Sequence, residues 1–177
     1  MLIVIDIGNT NITIGIYKDD KLIGNYRLTT KMKRTSDEYG FMILNFLSAS
    51  KASADDIKDV IISSVVPKIM HSFLNGIRKY MHKEPIVVGP GIRTGISVKA
   101  ENPKAVGADR IVDAAGAYYE YGGPCLVVDF GTATTYDYVD ANGNFEFGVI
   151  ALGIETSAQA MWTQAAKLPE NEIKKPK

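Results

Sequence analysis

Two aspartates stand at the ends of apolar runs and are followed by the same kind of turn. Residues 2–13 read LIVIDIGNTNIT and residues 126–136 read LVVDFGTATTY, so Asp6 and Asp129 occupy equivalent places 123 residues apart. Each run is followed by an apolar residue, a glycine and a stretch of small polar residues. A buried strand would deliver the carboxylate to its tip. The glycine permits a tight turn, and the Asn and Thr residues that follow supply amide, hydroxyl and backbone N–H donors. Turns of this kind cradle phosphate oxygens. A carboxylate faces phosphate poorly on its own, but it can hold a cation or a metal-bound water. Two such hairpins could together hold a nucleoside triphosphate. The plainer alternative is a pair of polar hairpin turns whose aspartates bond nearby backbone.

A third group lies between them, Gly107-Ala108-Asp109-Arg110. Asp109 is a carboxylate beside a fixed positive charge and could accept a proton. It also opens an apolar helical run, which makes a helix cap the competing role. For Arg110 the competing role is a surface ion pair.

Other chemistries are poorly supplied. The chain has one cysteine, Cys125, within an apolar run, and two histidines, His71 and His82, too few for a Cys/His zinc site. The glycines from Gly89 to Gly95 do not follow the GxGxxG spacing, and no GxxxxGK[ST] occurs, so neither common nucleotide fingerprint is present. Twenty basic residues balance twenty acidic ones, which gives no basic surface for nucleic acid or membrane. The apolar run before Asp6 is too short for a signal peptide, and no later run would span a bilayer. The expected address is cytoplasmic.

The elements that must position these groups follow from periodicity. Residues 2–6, 12–17, 22–28, 60–64 and 86–88 read as strands, and 125–129, 134–140 and 145–151 as three more. Asn142-Gly143 marks a hairpin between the last two. Ser36 caps a helix whose apolar face is Tyr39, Met42, Ile43, Phe46 and Leu47. Pro67 suits the first turn of a helix carrying Ile69, Met70, Phe73, Leu74, Ile77 and Tyr80. Further helices are expected from about Asp109 to Tyr121 and over 154–167, ending near Pro169. The mixture predicts an α/β protein with mixed sheets, duplicated as residues 1–113 and 114–177. With 64 residues, the second half is small for a domain.

The paired Asp-x-Gly hairpins resemble the phosphate-binding segments of the actin-like (ribonuclease H-like) superfamily of sugar kinases, heat-shock chaperones and actin. Glu101-Asn102-Pro103 followed by Gly107-Ala108-Asp109-Arg110, together with Asp129 to Thr135 and the stretch from Ile150 to Pro169, narrows the likeness. In that order they resemble type III pantothenate kinases from Met1 to about Pro169. The resemblance implies transfer of phosphate from ATP to pantothenate, the first step of coenzyme A synthesis. It implies that Asp6, Ile7, Gly8, Asn9, Thr10, Asn11, Ile12 and Thr13 hold ATP, with Asp6 near magnesium. Gly107, Ala108, Asp109 and Arg110 would line the pantothenate pocket, with Asp109 as general base. Thr132 would contact ATP, and Asp129 would bind a monovalent cation, potassium or ammonium. A homodimer is implied, with Tyr118, Tyr119 and Tyr121 as candidate contacts.

The pattern departs at Ala100, where the family usually has tyrosine, and at Leu152, where it usually has proline. It also continues beyond Lys177, so an incomplete second domain is expected. These departures leave two alternatives, a binding homologue without catalysis and a kinase of another small acid.

Overall fold

The computed structural model describes residues 1–89, 91–165, 169–170 and 173–174. Pro90 of the glycine-rich loop and residues 166–168, at the end of the last expected helix, lie outside them. The chain divides into two compact units, Met1–Arg93 with Lys104–Val112, and Thr94–Pro103 with Asp113–Lys177.

The first unit is built on β1 (Leu2–Ile7), β2 (Asn11–Lys18), β3 (Lys21–Thr29), β4 (Asp59–Ser64) and β5 (Ile86–Val87), in the sheet order β3-β2-β1-β4-β5. The β1–β2 and β2–β3 pairs are antiparallel, while β4 joins β1 and β5 joins β4 in parallel. Alternation along the strands decides the two faces. Ile3, Ile5 and Ile7 pair with Ile16, Ile14 and Ile12, and all six are buried on one face. Each such side chain contributes about 1.5–3 kcal/mol of gross hydrophobic stabilisation.

That face is covered by α1 (Ser36–Ala49) and α2 (Pro67–Met81), through Tyr39, Ile43 and Leu47 of one and Phe73, Ile77 and Met81 of the other. Pro67 occupies the first turn of α2, as its fixed φ and missing N–H favour. The cap of α1 is Thr35 rather than Ser36. Thr35 accepts the Glu38 N–H, and the Glu38 carboxylate accepts the Thr35 N–H at 2.7 Å. Glu38 stands three residues after Thr35, whereas the residue three after Ser36 is Tyr39, so only Thr35 can form the reciprocal box.

Between α1 and α2 the Tyr39 and Phe73 rings lie 4.7 Å apart, and the Tyr39 hydroxyl is buried without a hydrogen-bond partner among the described residues. Tyr39→Phe keeps the ring and removes that cost. It is expected to stabilise the protein by about 1 kcal/mol, read as a higher denaturant midpoint with unchanged slope. A lower midpoint would mean that the hydroxyl is satisfied in solution.

The second unit is a sheet of β6 (Ser97–Val98), β9 (Asn144–Leu152), β8 (Ala133–Val139) and β7 (Cys125–Phe130), in that order, with α4 (Ile154–Gln164) following β9. The helix α3 (Ala108–Tyr121) buries Ala114 and Ala115 in its later turns. The β8–β9 hairpin turns at Gly143, whose φ is +76°. Asp140 holds the turn by accepting the N–H groups of Asn142 and Asn144, each at 2.8 Å. The Asn144 N–H is the first cause lowering the Asp140 pKa below its ordinary value. Tyr118 packs over the same turn and donates to the Ala141 carbonyl at 3.4 Å. On one face of the sheet Leu126, Val128, Phe130, Tyr136, Phe147 and Val149 are all exposed.

Candidate active site

The first hairpin is tied off from behind. Asp6 pairs with Thr13 and Ile7 with Ile12, which leaves residues 8–11 for the turn. The Gly8 N–H donates to the Asn11 carbonyl at 3.0 Å, and a Cβ on Gly8 would sit 3.3 Å from that oxygen, so glycine suits the closure. Thr30, buried just past β3, then takes two more of the turn carbonyls. Its hydroxyl donates to Gly8 at 2.7 Å and its N–H to Thr10 at 2.9 Å. With these carbonyls bound to Thr30, Asn9 and Thr10 stay exposed at the tip, and Asp6 is exposed beside them. Thr30 is a positioning residue that the sequence reading missed, because nothing local marks a strand-end threonine as the partner of a turn twenty residues earlier.

Beside this turn lies the start of α3. The Val65 N–H, just past β4, donates to the Ile7 carbonyl at 3.1 Å, and the Val65 side chain lies 3.4 Å from where a Gly107 Cβ would be. The ends of β1 and β4 and the first turn of α3 therefore meet at one edge of the first unit. It is the carboxyl edge of parallel strands, where open α/β sheets commonly bind ligands. A Cβ on Gly107 would meet the Asp109 carboxylate, so glycine leaves that carboxylate in its place.

The helix begins at Ala108, so Asp109 is its second residue and not the cap. Its Oδ1 accepts the Arg110 N–H at 2.8 Å, while the Ile111 N–H goes to the Gly107 carbonyl at 3.2 Å. Val112 stands three residues on, over the same face of the helix. It lines a cavity of about 410 Å³ on the open face of the sheet, with Val4, Asp6, Thr13, Gly15, Ile61, Ser63 and Val88. The structure thus brings together the Asp6–Thr13 segment and the Gly107–Arg110 segment.

Asp129 and Thr132 belong to the second unit and are placed by a hairpin of the same design. Asp129 pairs with Thr135 and Phe130 with Thr134, leaving a turn of residues 131–133, one shorter than the first. The Gly131 N–H donates to Ala133 at 3.0 Å. The Thr132 carbonyl accepts the Gly153 N–H at 3.1 Å and the Thr156 hydroxyl at 2.9 Å, which fixes this turn on the start of α4. Asp129 is exposed, with its carboxylate 3.3 Å from the position of a Gly131 Cβ.

Among the described residues no three His, Cys, Asp or Glu side chains gather as a metal cage. One carboxylate with neighbouring hydroxyls, as at Asp6, Thr13 and Ser63, suits a divalent cation that arrives on phosphate oxygens, since such ions keep much of their coordination outside the protein.

The model of the type III pantothenate kinase family matches residues 2–177. The chain is 54% identical to the type III pantothenate kinase of Bifidobacterium longum subsp. infantis, covering 99% of this chain and 69% of that protein. It is 57% identical to that of Agathobacter rectalis, covering 99% and 68%. Among solved structures, it is similar to a candidate 2-dehydro-3-deoxygalactonokinase from Sinorhizobium meliloti, with a TM-score of 0.54 and 15% identity, over 95% of this chain and 57% of that one. It is also similar to the ethanolamine utilization protein EutJ from Carboxydothermus hydrogenoformans, with a TM-score of 0.51 and 10% identity, over 94% and 57%. These structural likenesses give the actin-like, sugar-kinase fold. The family model and the two bacterial relatives, which cover nearly the whole chain with its paired Asp-x-Gly hairpins and Gly-Ala-Asp-Arg turn, lead to one assignment: the chain belongs to the type III pantothenate kinase family.

Proposed function

We propose that this chain carries the phosphate-binding and proton-accepting groups of a pantothenate kinase in its first unit. The observation that supports this most is the contact chain from Ile7 through Val65 to Gly107, which sets the Asp6 turn beside Asp109. In this reading Asp6 to Thr13 bind the phosphates of ATP through the exposed turn tip. Gly107, Ala108, Asp109 and Arg110 line the pantothenate pocket, where Arg110 meets the substrate carboxylate. Asp109 takes the proton of the primary hydroxyl as that oxygen attacks the γ-phosphorus. Phosphoryl transfer needs mainly positioning and neutralised charge, which suits so small a set of groups. Asp6 would hold magnesium delivered with ATP, and the ion would offset phosphate charge. On the second unit, Thr132 would contact ATP and Asp129 would hold potassium or ammonium.

Residues 1–113 and 114–177 are read as the two halves of an ancestral duplication, with Thr94–Pro103 of the first half packed into the second compact unit. Tyr119 and Tyr121 are exposed at 69% and 84% and are proposed as contacts of a homodimer, whereas Tyr118 is engaged with its own hairpin turn. No described helix is long and apolar enough to cross a membrane, and we read the enzyme as cytoplasmic.

The test is ADP release measured with ATP and pantothenate together. Release is expected to depend on pantothenate and magnesium and to rise with potassium or ammonium. Nucleotide binding without formation of phosphopantothenate would favour the non-catalytic homologue, and equal use of another small hydroxy acid would favour a different kinase.

A further inference from the structure

Ser63 carries a hydroxyl that the fold does not use. It is 5% exposed, and its Oγ has no hydrogen-bond partner among the described residues. The next residue shows the contrast, since the Ser64 hydroxyl accepts the Val66 N–H at 3.1 Å and shapes the exit from β4. Burying an unsatisfied hydroxyl is unfavourable, so such a group invites an explanation. The Tyr39 hydroxyl is also idle, but it lies between two helices in the core, where no ligand reaches.

Ser63 is placed differently. It is the register partner of Asp6 on the neighbouring parallel strand, about 4.8 Å away between strand axes. In-register residues point to the same face, and both line the cavity that Val112 of α3 also lines. The flanking Val4, Ile61 and Val88 make the surroundings of the hydroxyl apolar, and there a single hydrogen bond counts for more.

Resting on the kinase reading above, we propose that the Ser63 hydroxyl is a substrate contact that donates to a non-bridging oxygen of the transferred phosphoryl group. Its place between the Asp6 turn and the start of α3 is where the triphosphate would meet the attacking hydroxyl. Asp6 disfavours the bare pantothenate carboxylate at that point, whereas phosphate arrives with a cation that offsets the repulsion. In the step itself the γ-phosphorus loses its bond to the β–γ bridging oxygen and gains one to the pantothenate oxygen. The hydroxyl proton passes to Asp109. Ser63 keeps its own proton and serves only as a donor.

The experiment compares the parent chain, Ser63→Ala and Ser63→Thr for thermal midpoint and for calorimetric affinity toward magnesium tripolyphosphate and, separately, pantothenate. Ser63→Ala is expected to keep or raise the midpoint, because it removes an unsatisfied buried group, and to bind tripolyphosphate about 10-fold more weakly with pantothenate affinity unchanged. Ser63→Thr, which retains the hydroxyl, is expected to bind tripolyphosphate within about 2-fold of the parent. Ser63→Ala binding tripolyphosphate as the parent does, or losing only pantothenate affinity, would overturn the proposal. So would a lowered midpoint, which would reveal a structural bond. A parent chain that fails to bind tripolyphosphate would overturn the phosphate-site reading, and the Ser63 assignment with it.

Discussion

Asp109→Asn is expected to lower turnover with pantothenate by about 10²- to 10⁴-fold, the usual worth of a general base. The geometry makes this substitution selective. The Asp109 Oδ1 accepts the Arg110 N–H at 2.8 Å, and asparagine retains an oxygen that can do the same. The carboxylate also lies over Gly107, in space that the similar asparagine side chain occupies equally well. The first turn of α3 is therefore expected to persist, with little change in denaturation midpoint or in pantothenate affinity. The loss should fall on kcat rather than KM, the pattern of an interaction made in the transition state. If Asp109 acted only through the helix start, the asparagine variant would turn over at the parental rate, and that result would remove it from the mechanism.

The largest expected loss of stability comes from a single methyl group. A Cβ on Gly76 of α2 would stand 2.6 Å from the Ser36 carbonyl oxygen and 3.2 Å from the Gly40 nitrogen, both backbone atoms of α1. Neither can swing aside as a flexible side chain could, so the helices would have to separate over the buried isoleucines. Gly76→Ala is expected to cost about 3 kcal/mol, at the upper end of overpacking effects. Gly116 is the matching control. It lies within α3, and a Cβ there would meet nothing within 4 Å. Gly116→Ala is expected to gain up to about 1 kcal/mol from helix propensity. Urea denaturation of both variants tests the pair. A Gly76→Ala protein as stable as the parent would show that the helix crossing is looser than described.

Much of the site was legible in the sequence because its parts are local. An apolar strand ending in aspartate and followed by glycine and small polar residues specifies a hairpin without reference to the rest of the chain, and both copies formed one. The chemical roles came from resemblance to the family, since an Asp-x-Gly turn does not declare which anion it holds. Features that depend on distant partners were not legible. β6 has two residues and exists only by pairing with Asn144 and Phe145 of β9. That pairing draws Thr94–Pro103 into the second unit, where contiguous boundaries were expected. Ser63 was read correctly as part of a strand, and alternation places it opposite Val60 and Ile62. The sequence did not say which face the helices would cover, and so did not say that this serine would face a cavity.

The strand order of the first unit has a consequence for synthesis. β1 leaves the ribosome before the other strands of its sheet and is also the middle of that sheet, with β4 as its parallel neighbour starting at Asp59. At translation rates of about 5–20 residues per second, the wait from Ile7 to Asp59 is roughly 3–10 s. The β1–β2–β3 meander can pair during that time because its contacts are local. It then exposes an open strand edge and a row of isoleucines until β4, α1 and α2 arrive. The nascent chain thus forms its phosphate turn early, on a half-sheet that attracts holding chaperones and self-association. Slower elongation beyond Thr30 would lengthen that exposure and lower the soluble yield.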